Sequence, residues 1–480
     1  MLPITSTRSE FGMRDPLRGL ERAVAADRGD TPTLTDGSRV AVIGGGPAGS
    51  FFGFFLLRMA ESIGLEVAVD IYEPRFFTHR GPAGCNHCGG IISESLVQML
   101  AAEGINLPPA VVQKGIDSYV LHTDLGNVRI QAPRDEKRIA AVYRGNGPRE
   151  SEPVTVAGFD RHLLDLTTAA GATVVRKMVR EIRWQDGRPS LVTTDGGTAD
   201  YDLVAMAAGV NSQALNLLAG PTPAFTAPQT QKTFICEFNL GAETVTEWFG
   251  TAMHVFLIDL PRLTFAALIP KGEFVTLAML GENLDDALVE AFLATPEVRQ
   301  CFPGSVVPPL ACHCYPRINV DAAVRPFGDR IVWVGDAGVA RLYKDGIGSA
   351  YRTAKAAARA AVFHGISARD FEKHFWPACR ALDVDNTIAK FIFAVTHLIQ
   401  RMRFLRRGVL RMTALEQALP EAPKRMSSVL WDVFTGSAPY REVLMHTLRP
   451  AFPLTLAWNV LAGNLTGSPT RAAEGPSHGR

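Results

Sequence analysis

At 480 residues the chain is too long for one simple core, and length alone leads to an expectation of roughly two to four domains. Hydrophobic residues make up 47% and charged residues 20%, which argues against a disordered protein, and a net charge of +1 gives no electrostatic case for a nucleic-acid partner. Seven cysteines, an odd and low number, argue against a structural disulfide framework and make a reducing cytoplasm the default location.

Met1 to Arg39 is polar and arginine-bearing, with no apolar leader segment, and residues 1–38 are expected to form a flexible extension. Arg39 to Ile43 then reads as a buried strand: short, β-branched and stopped by glycine. Pro47 to Ile63 reads as a helix and Glu66 to Glu73 as a second strand. Such a βαβ unit implies a parallel sheet.

Gly44, Gly46 and Gly49 stand between the first strand and the helix as G-x-G-x-x-G. The first glycine permits a tight turn, the second lets backbone approach a pyrophosphate, and the third lets the helix pack on the strand. The helix start then offers free N–H groups to phosphate. Glu73 ends the second strand, where an acid accepts from ribose hydroxyls. Pro47, Ala48, Pro74 and Arg75 flank these positions and complete this half of the expected cofactor site.

The next stretch, "GCNHCGGIIS", runs from Gly84 to Ser93 and admits three readings. A zinc site at Cys85 and Cys88 would need two more ligands. Cys312-His313-Cys314 is the candidate source, but in a strand Cys312 and Cys314 share a face while His313 points away. No metal is expected. A redox pair has the right spacing, yet it does not open a helix. The third reading is a loop shaped by Gly89-Gly90 for close approach to a ring. Cys88 and His87 are the candidate proton donors. Arg144, in "YRGNGP", has two readings, as a substrate-cavity residue or as a solvated side chain.

Short strands and turns are expected from Ser118 to Tyr143, a helix from Phe159 to Ala170, and a strand from Asp202 to Gly209. A strand-rich block covers about 231–318. "RIVWVGDAG", Arg330 to Gly338, is an apolar strand ending in Gly335-Asp336, and Gly346-Ile347-Gly348 open a small-residue helix. The glycine turn alone does not separate FAD from NAD. Asp336 can hold a ribityl hydroxyl, and the helix start favours negative charge on a reduced flavin ring. The two distant halves together point to FAD.

The fold class is therefore α/β: a Rossmann-like FAD-binding domain with an inserted β-sheet substrate domain and a helical C-terminal region. The FAD-binding part is assigned to 39–110, 155–220 and 320–365, the substrate part to 111–154 and 221–319, and the helical region to 366–480. Thr387 to Gln400 is too short to span a membrane, and Val443 to Gly463 is interrupted by His446, Arg449, Pro450 and Pro453. Ile388, Phe391, Ile392, Val395, Leu398, Ile399, Met402 and Leu405 form one helical stripe, joined by Arg401, Arg403, Arg406, Arg407 and Arg411. The stretch 388–411 either lies on an anionic membrane surface, peripheral to the inner membrane, or packs on the body of the protein.

Several landmarks over about 39–365 resemble the geranylgeranyl reductase family of flavoproteins, within the group that shares the aromatic-hydroxylase FAD fold. They are "VAVIGGGPAGS", "GFDRHLLDLTTAAGATV", "LVAMAAGVNS" (with Gly209), "IPKGEFVTLAMLG", and "VGDAG" followed by "DGIGSA". The resemblance implies that Cys88, Gly89 and Gly90 form a loop beside the flavin ring. It implies no separate NAD(P)H domain, so that NAD(P)H or another soluble electron donor reduces the flavin from solution. The implied reaction is reduction of double bonds in an isoprenoid or other lipid-like substrate, with hydride to one carbon and a proton to the other. Relatives include lycopene cyclases and aromatic hydroxylases. A flavin monooxygenase acting on an apolar or aromatic substrate is thus the alternative, and a membrane-associated lipid or quinone binder with little turnover is a third reading. Two departures stand out. Ala267 and Ile269 replace aromatic residues of the family's hairpin, and Val156 stands where an arginine usually precedes Phe-Asp.

Overall fold

Val40 to Ile43 are apolar at every position because both faces of their strand are covered, as expected for the centre of a parallel sheet. The structure is a computed structural model, described over residues 31–81, 89–134, 137–149, 158–218, 225–419 and 421–465. Its first sheet has the order Phe327–Gly328, Ile331–Trp333, Leu203–Met206, Ser38–Ile43, Val67–Tyr72, Thr173–Val175. All neighbours run parallel except the first two, which form a hairpin.

The helix Pro47–Ser62 connects the two central strands and buries Phe51, Phe52, Phe55 and Leu56. Its neighbour is Gly346–Phe363, an alanine-rich helix whose small side chains allow close approach; Phe51 and Phe55 both meet Tyr351 edge-on. This packing ties residues from the two ends of the parallel-sheet unit into one core.

The second large sheet runs Cys312–Cys314, Gln229–Asn239, Phe274–Gly281, Leu263–Lys271, Ala252–Phe256, Ser118–Thr123, Gly126–Gln131, with Arg317–Asp321 also paired to Gln229–Asn239. Its two-residue alternation sends side chains to two different layers. Tyr119, Leu121, Met253, Val255, Phe265, Ala267 and Ile269 face the C-terminal helices and pack with Phe393, Trp431, Phe434 and Tyr440. Phe256, Ala266 and Leu268 face the other way, under the helices Ala242–Trp248 and Asp286–Leu293. A three-stranded sheet of Ile91–Ser93, Ile139–Val142 and Val112–Ile116 lies beside it.

The stripe read from 388 to 405 is not one helix. Trp376–Arg401 ends at Met402, whose extended backbone starts Arg403–Ala418. The break coincides with tertiary contacts made by polar side chains on either side of it. Gln400 turns inward and donates to the carbonyls of Ile258 and Thr264, both at 3.1 Å. Arg406 is buried and pairs with Asp124 at 2.8 Å. Ile388, Ile392 and Ile399 pack on the sheet, whereas Phe391, Val395, Leu398 and Met402 face solvent. Of the basic residues, Arg401 and Arg403 are exposed, while Arg407 and Arg411 lie along Gly463 of the last helix, Ala451–Leu465. No helix among the described residues is long and apolar enough to cross a membrane.

Candidate active site and cofactor cradle

The turn after Ser38–Ile43 leaves no room for a side chain at Gly44, Gly45 or Gly49. A Cβ on Gly44 would meet the Ala207 carbonyl oxygen at 2.7 Å, one on Gly45 would meet Glu73 Cβ at 2.8 Å, and one on Gly49 would lie 1.9 Å from the Gly44 carbonyl oxygen. Gly46 caps the helix and Pro47 occupies its first turn, so the N–H groups of that turn are not consumed by an acidic side chain. Glu73 is buried and aimed back at the turn. Its carboxylate accepts from Gly45 N and Arg75 N, both at 3.0 Å, and from Arg75 Nε at 3.0 Å. Pro74 and Arg75 are exposed and form a rim beside it.

An arginine reaches this turn by a route the sequence reading did not anticipate. Arg144 makes a bidentate pair with Asp160, at 3.0 and 2.9 Å, and Asp160 is buried in the first turn of Phe159–Ala169. A Cβ on Gly46 would sit 3.4 Å from Arg144 Nη2. Arg144 is therefore neither a free solvated side chain nor remote from the cradle. It brings a fixed positive group to the glycine turn, of the kind that suits a phosphate.

The second half of the site docks directly on the first. Gly335 has φ +63°, and a Cβ there would collide with Ala48 Cβ at 2.6 Å. Its N–H donates to the Thr353 hydroxyl at 3.0 Å. Asp336 follows; desolvation raises its carboxyl above the usual range, and Arg144 works against that rise. Asn319 Nδ2 donates to the Asp336 carbonyl at 3.0 Å and holds the turn. Gly346, Ile347 and Gly348 form the first turn of Gly346–Phe363, with Gly346 exposed and Ile347 buried. Gly348 has no space for a side chain, because the Asp345 carboxylate would lie 2.0 Å from its Cβ. That carboxylate is fixed by Arg341 and by Arg352.

Gly89 and Gly90 come down on the second sheet. A Cβ on Gly89 would touch Ile269 Cδ1 at 3.5 Å and Ala278 Cβ at 3.8 Å. Gly90 has φ +68° and lies so close to the Val142 carbonyl that only glycine fits. Cys85, His87 and Cys88 lie outside the described residues. Gly209 has φ +68° but borders open space, so the backbone angle is what asks for glycine there. Lys271 was not singled out from the sequence, although it lies inside the quoted "IPKGEF". It is buried beside Gly90, with Nζ 4.7 Å from the centroid of the Tyr143 ring. Glu237 is buried near it and accepts from the Thr276 hydroxyl at 2.7 Å.

Glycine turn, inward acid, helix start and the returning Gly335-Asp336 segment meet at one end of a parallel sheet, beside a second sheet that forms a separate wall. That architecture is the fold of a group of flavoproteins. The chain is similar to a geranylgeranyl bacteriochlorophyll reductase-like protein from Thermoplasma acidophilum, at 14% identity and a TM-score of 0.57 over 88% of this chain and 98% of that one. It is similar to a flavoprotein/dehydrogenase from Cytophaga hutchinsonii, at 13% identity and 0.56 over 90% and 100%. It is also similar to a variant of Klebsiella pneumoniae HpxO complexed with FAD, at 15% identity and 0.52 over 87% and 99%. No protein-family model and no curated protein matches the sequence.

Proposed function

We propose that this chain is an FAD-dependent oxidoreductase that reduces carbon–carbon double bonds of an isoprenoid or other lipid-like substrate. The observation that carries the FAD assignment is the seating of Gly335 on Ala48. It unites the glycine turn with the Asp336 turn and the start of Gly346–Phe363, as a flavin dinucleotide requires of a two-part site. In this reading the Gly44–Gly49 turn, the start of Pro47–Ser62 and Arg144 take the pyrophosphate, and Glu73 takes the ribose. Asp336 would hold a ribityl hydroxyl, and the start of Gly346–Phe363 would favour negative charge on the reduced ring. Bound there, reduced FAD would supply the hydride for one alkene carbon. His87 or Cys88 would give the proton to the other; Gly89, the next residue, lies beside Ile269 and Ala278. NAD(P)H or another soluble donor restores the reduced flavin.

Support for a lipid-like substrate comes from the surface. Most large apolar side chains exposed among the described residues lie beyond Leu382. Ala451–Leu465 holds no charged residue, yet Leu454, Trp458, Leu461 and Leu465 are exposed along it. Arg449 is exposed just before this helix, and Arg401 and Arg403 are exposed around the start of Arg403–Ala418, which packs on it; this region suits an anionic lipid surface, and we assign it as the site of peripheral membrane contact.

Anaerobic reduction with NAD(P)H or dithionite, followed by addition of an isoprenoid, tests the reaction. Return of oxidised-flavin absorbance with a saturated product is expected. Return only with oxygen, together with a hydroxylated product, would replace this reading with the monooxygenase one. That alternative draws on a specific finding: a peptidyl tryptophan dihydroxylase, QhpG, shares the fold at 18% identity and a TM-score of 0.51. A flavin that no donor reduces would leave a lipid or quinone binder.

A further inference from the structure

The layer on the far side of the second sheet is largely apolar, and among the described residues it encloses a polar cluster. His122, His254 and Cys301 meet there, all buried. His122 comes from Ser118–Thr123 and His254 from the parallel neighbour Ala252–Phe256; Cys301 follows the short helix Pro296–Arg299. Among the described residues this is the one group of three side chains able to share a metal ion. Tyr119, Leu121, Met253 and Val255 point to the opposite layer, so the group stands on the face away from the C-terminal helices.

His122 Nε2 lies 3.0 Å from His254 Nδ1, His254 Nδ1 lies 3.3 Å from Cys301 Sγ, and Cys301 Sγ lies 3.8 Å from His122 Nε2. A point equidistant from the three is about 2.0 Å from each, close to metal–nitrogen and metal–thiolate bond lengths of about 2.0–2.3 Å. The rings are held in place. His122 stacks on Phe256 at 4.7 Å, and His254 packs on Phe249 at 4.9 Å. Two imidazoles and a thiol in such an apolar layer cost solvation, and none of them serves the proposed reaction.

We propose that His122, His254 and Cys301 form a closed, structural Cu(I) site. Charge selects the ion. Cu(I) with one thiolate and two neutral imidazoles has no net charge, which an apolar layer accepts. Zn(II) with the same ligands leaves a net positive charge, and Arg129, bonded to Ser118 on the same strand at 3.2 Å, adds to that cost. Zinc in structural sites also takes four ligands, and thiolate with imidazole suits soft Cu(I).

Binding releases one proton, from the Cys301 thiol, which otherwise donates to the Glu297 carbonyl at 3.4 Å. His122 must bind through Nε2 and carry its proton on Nδ1. Gln300 Nε2 is 3.5 Å from that Nδ1 and donates to the Glu297 carbonyl at 3.3 Å; binding requires the amide to turn, giving up that bond so that its oxygen accepts from Nδ1–H and fixes the tautomer.

The test uses the full-length holo-protein under anaerobic, reducing conditions, with Cu(I) delivered and challenged by a Cu(I) chelator. One retained equivalent is expected, with X-ray absorption showing one sulfur and two nitrogen neighbours and no change in flavin content. Cys301→Ser is expected to lose retention, and Gln300→Leu to weaken it by about 10–100-fold. Flavin content and circular dichroism report whether each variant folds. Absence of a retained equivalent in the unsubstituted protein would overturn the proposal and leave a hydrogen-bonded core cluster. Thiolate-only coordination, or a four-coordinate Zn(II) held in preference to copper, would overturn it equally.

Discussion

At the residue scale, glycines with similar backbone angles make different demands. Gly335 and Gly209 both have positive φ, +63° and +68°, but only Gly335 has a neighbour in the way. Gly209→Ala is therefore expected to cost about 1–2 kcal/mol from backbone strain alone. Gly335→Ala adds overpacking against Ala48, about 1–3 kcal/mol more, and separates the two halves of the cradle. Chemical denaturation should rank the two variants in that order, and only Gly335→Ala should come off the column depleted of FAD. Glu73 makes a second test. Glu73→Gln keeps an acceptor for Gly45 N–H but loses the charge that holds Arg75, so FAD should bind about tenfold more weakly. Titration of the deflavinated protein with FAD measures that change.

At the element scale, the segment before Gly346–Phe363 is locked to the C-terminal helices. Lys344 is buried, lies 3.8 Å from the centroid of the Tyr440 ring, and donates to the carbonyls of Asp432 and Ala438. Burial brings its amine down to about 7. The folded chain thus releases this proton more readily than the unfolded chain, whose lysine titrates near 10.5. Where the unfolded state binds more protons, stability rises with pH. Lys344 therefore contributes rising stability between about pH 7 and 10.5, with no slope below that window. Urea midpoints measured at pH 7, 8 and 9 should climb more steeply in the unsubstituted protein than in Lys344→Met.

The last helix offers the other prediction at this scale. Gly408 and Gly463 let Arg403–Ala418 and Ala451–Leu465 pack closely, since a Cβ on Gly408 would lie 2.3 Å from Val460 Cγ2. Trp458 and Leu461 are left on the outer side. Trp458→Glu with Leu461→Glu should abolish co-flotation with anionic vesicles while FAD content stays constant. Undiminished flotation would place membrane contact elsewhere, on Phe391, Val395 and Leu398.

At the scale of the whole molecule, what could be read from the sequence was what local physics dictates. Strand, glycine turn, helix and acid between Ser38 and Glu73 are contiguous, and each residue type has one steric or electrostatic job there. The parallel sheet and the alanine-rich helix follow from the same local patterns. Contacts made by distant segments were not legible. His122 and His254 are 132 positions apart, and Arg144 meets Asp160 only because Ile139–Val142 ends beside the start of Phe159–Ala169. The stripe from 388 to 405 misled because helical periodicity does not reveal a break. That break coincides with Gln400 reaching carbonyls some 140 residues away, at Ile258 and Thr264.

FAD binding in this proposal depends on one cradle assembled from both ends of the parallel-sheet unit, and the most direct measurement is the flavin content of the purified full-length protein. The prediction is one tightly held FAD per chain, released on denaturation and identified by mass. Protein that is colourless as purified and takes up no FAD on incubation would contradict it.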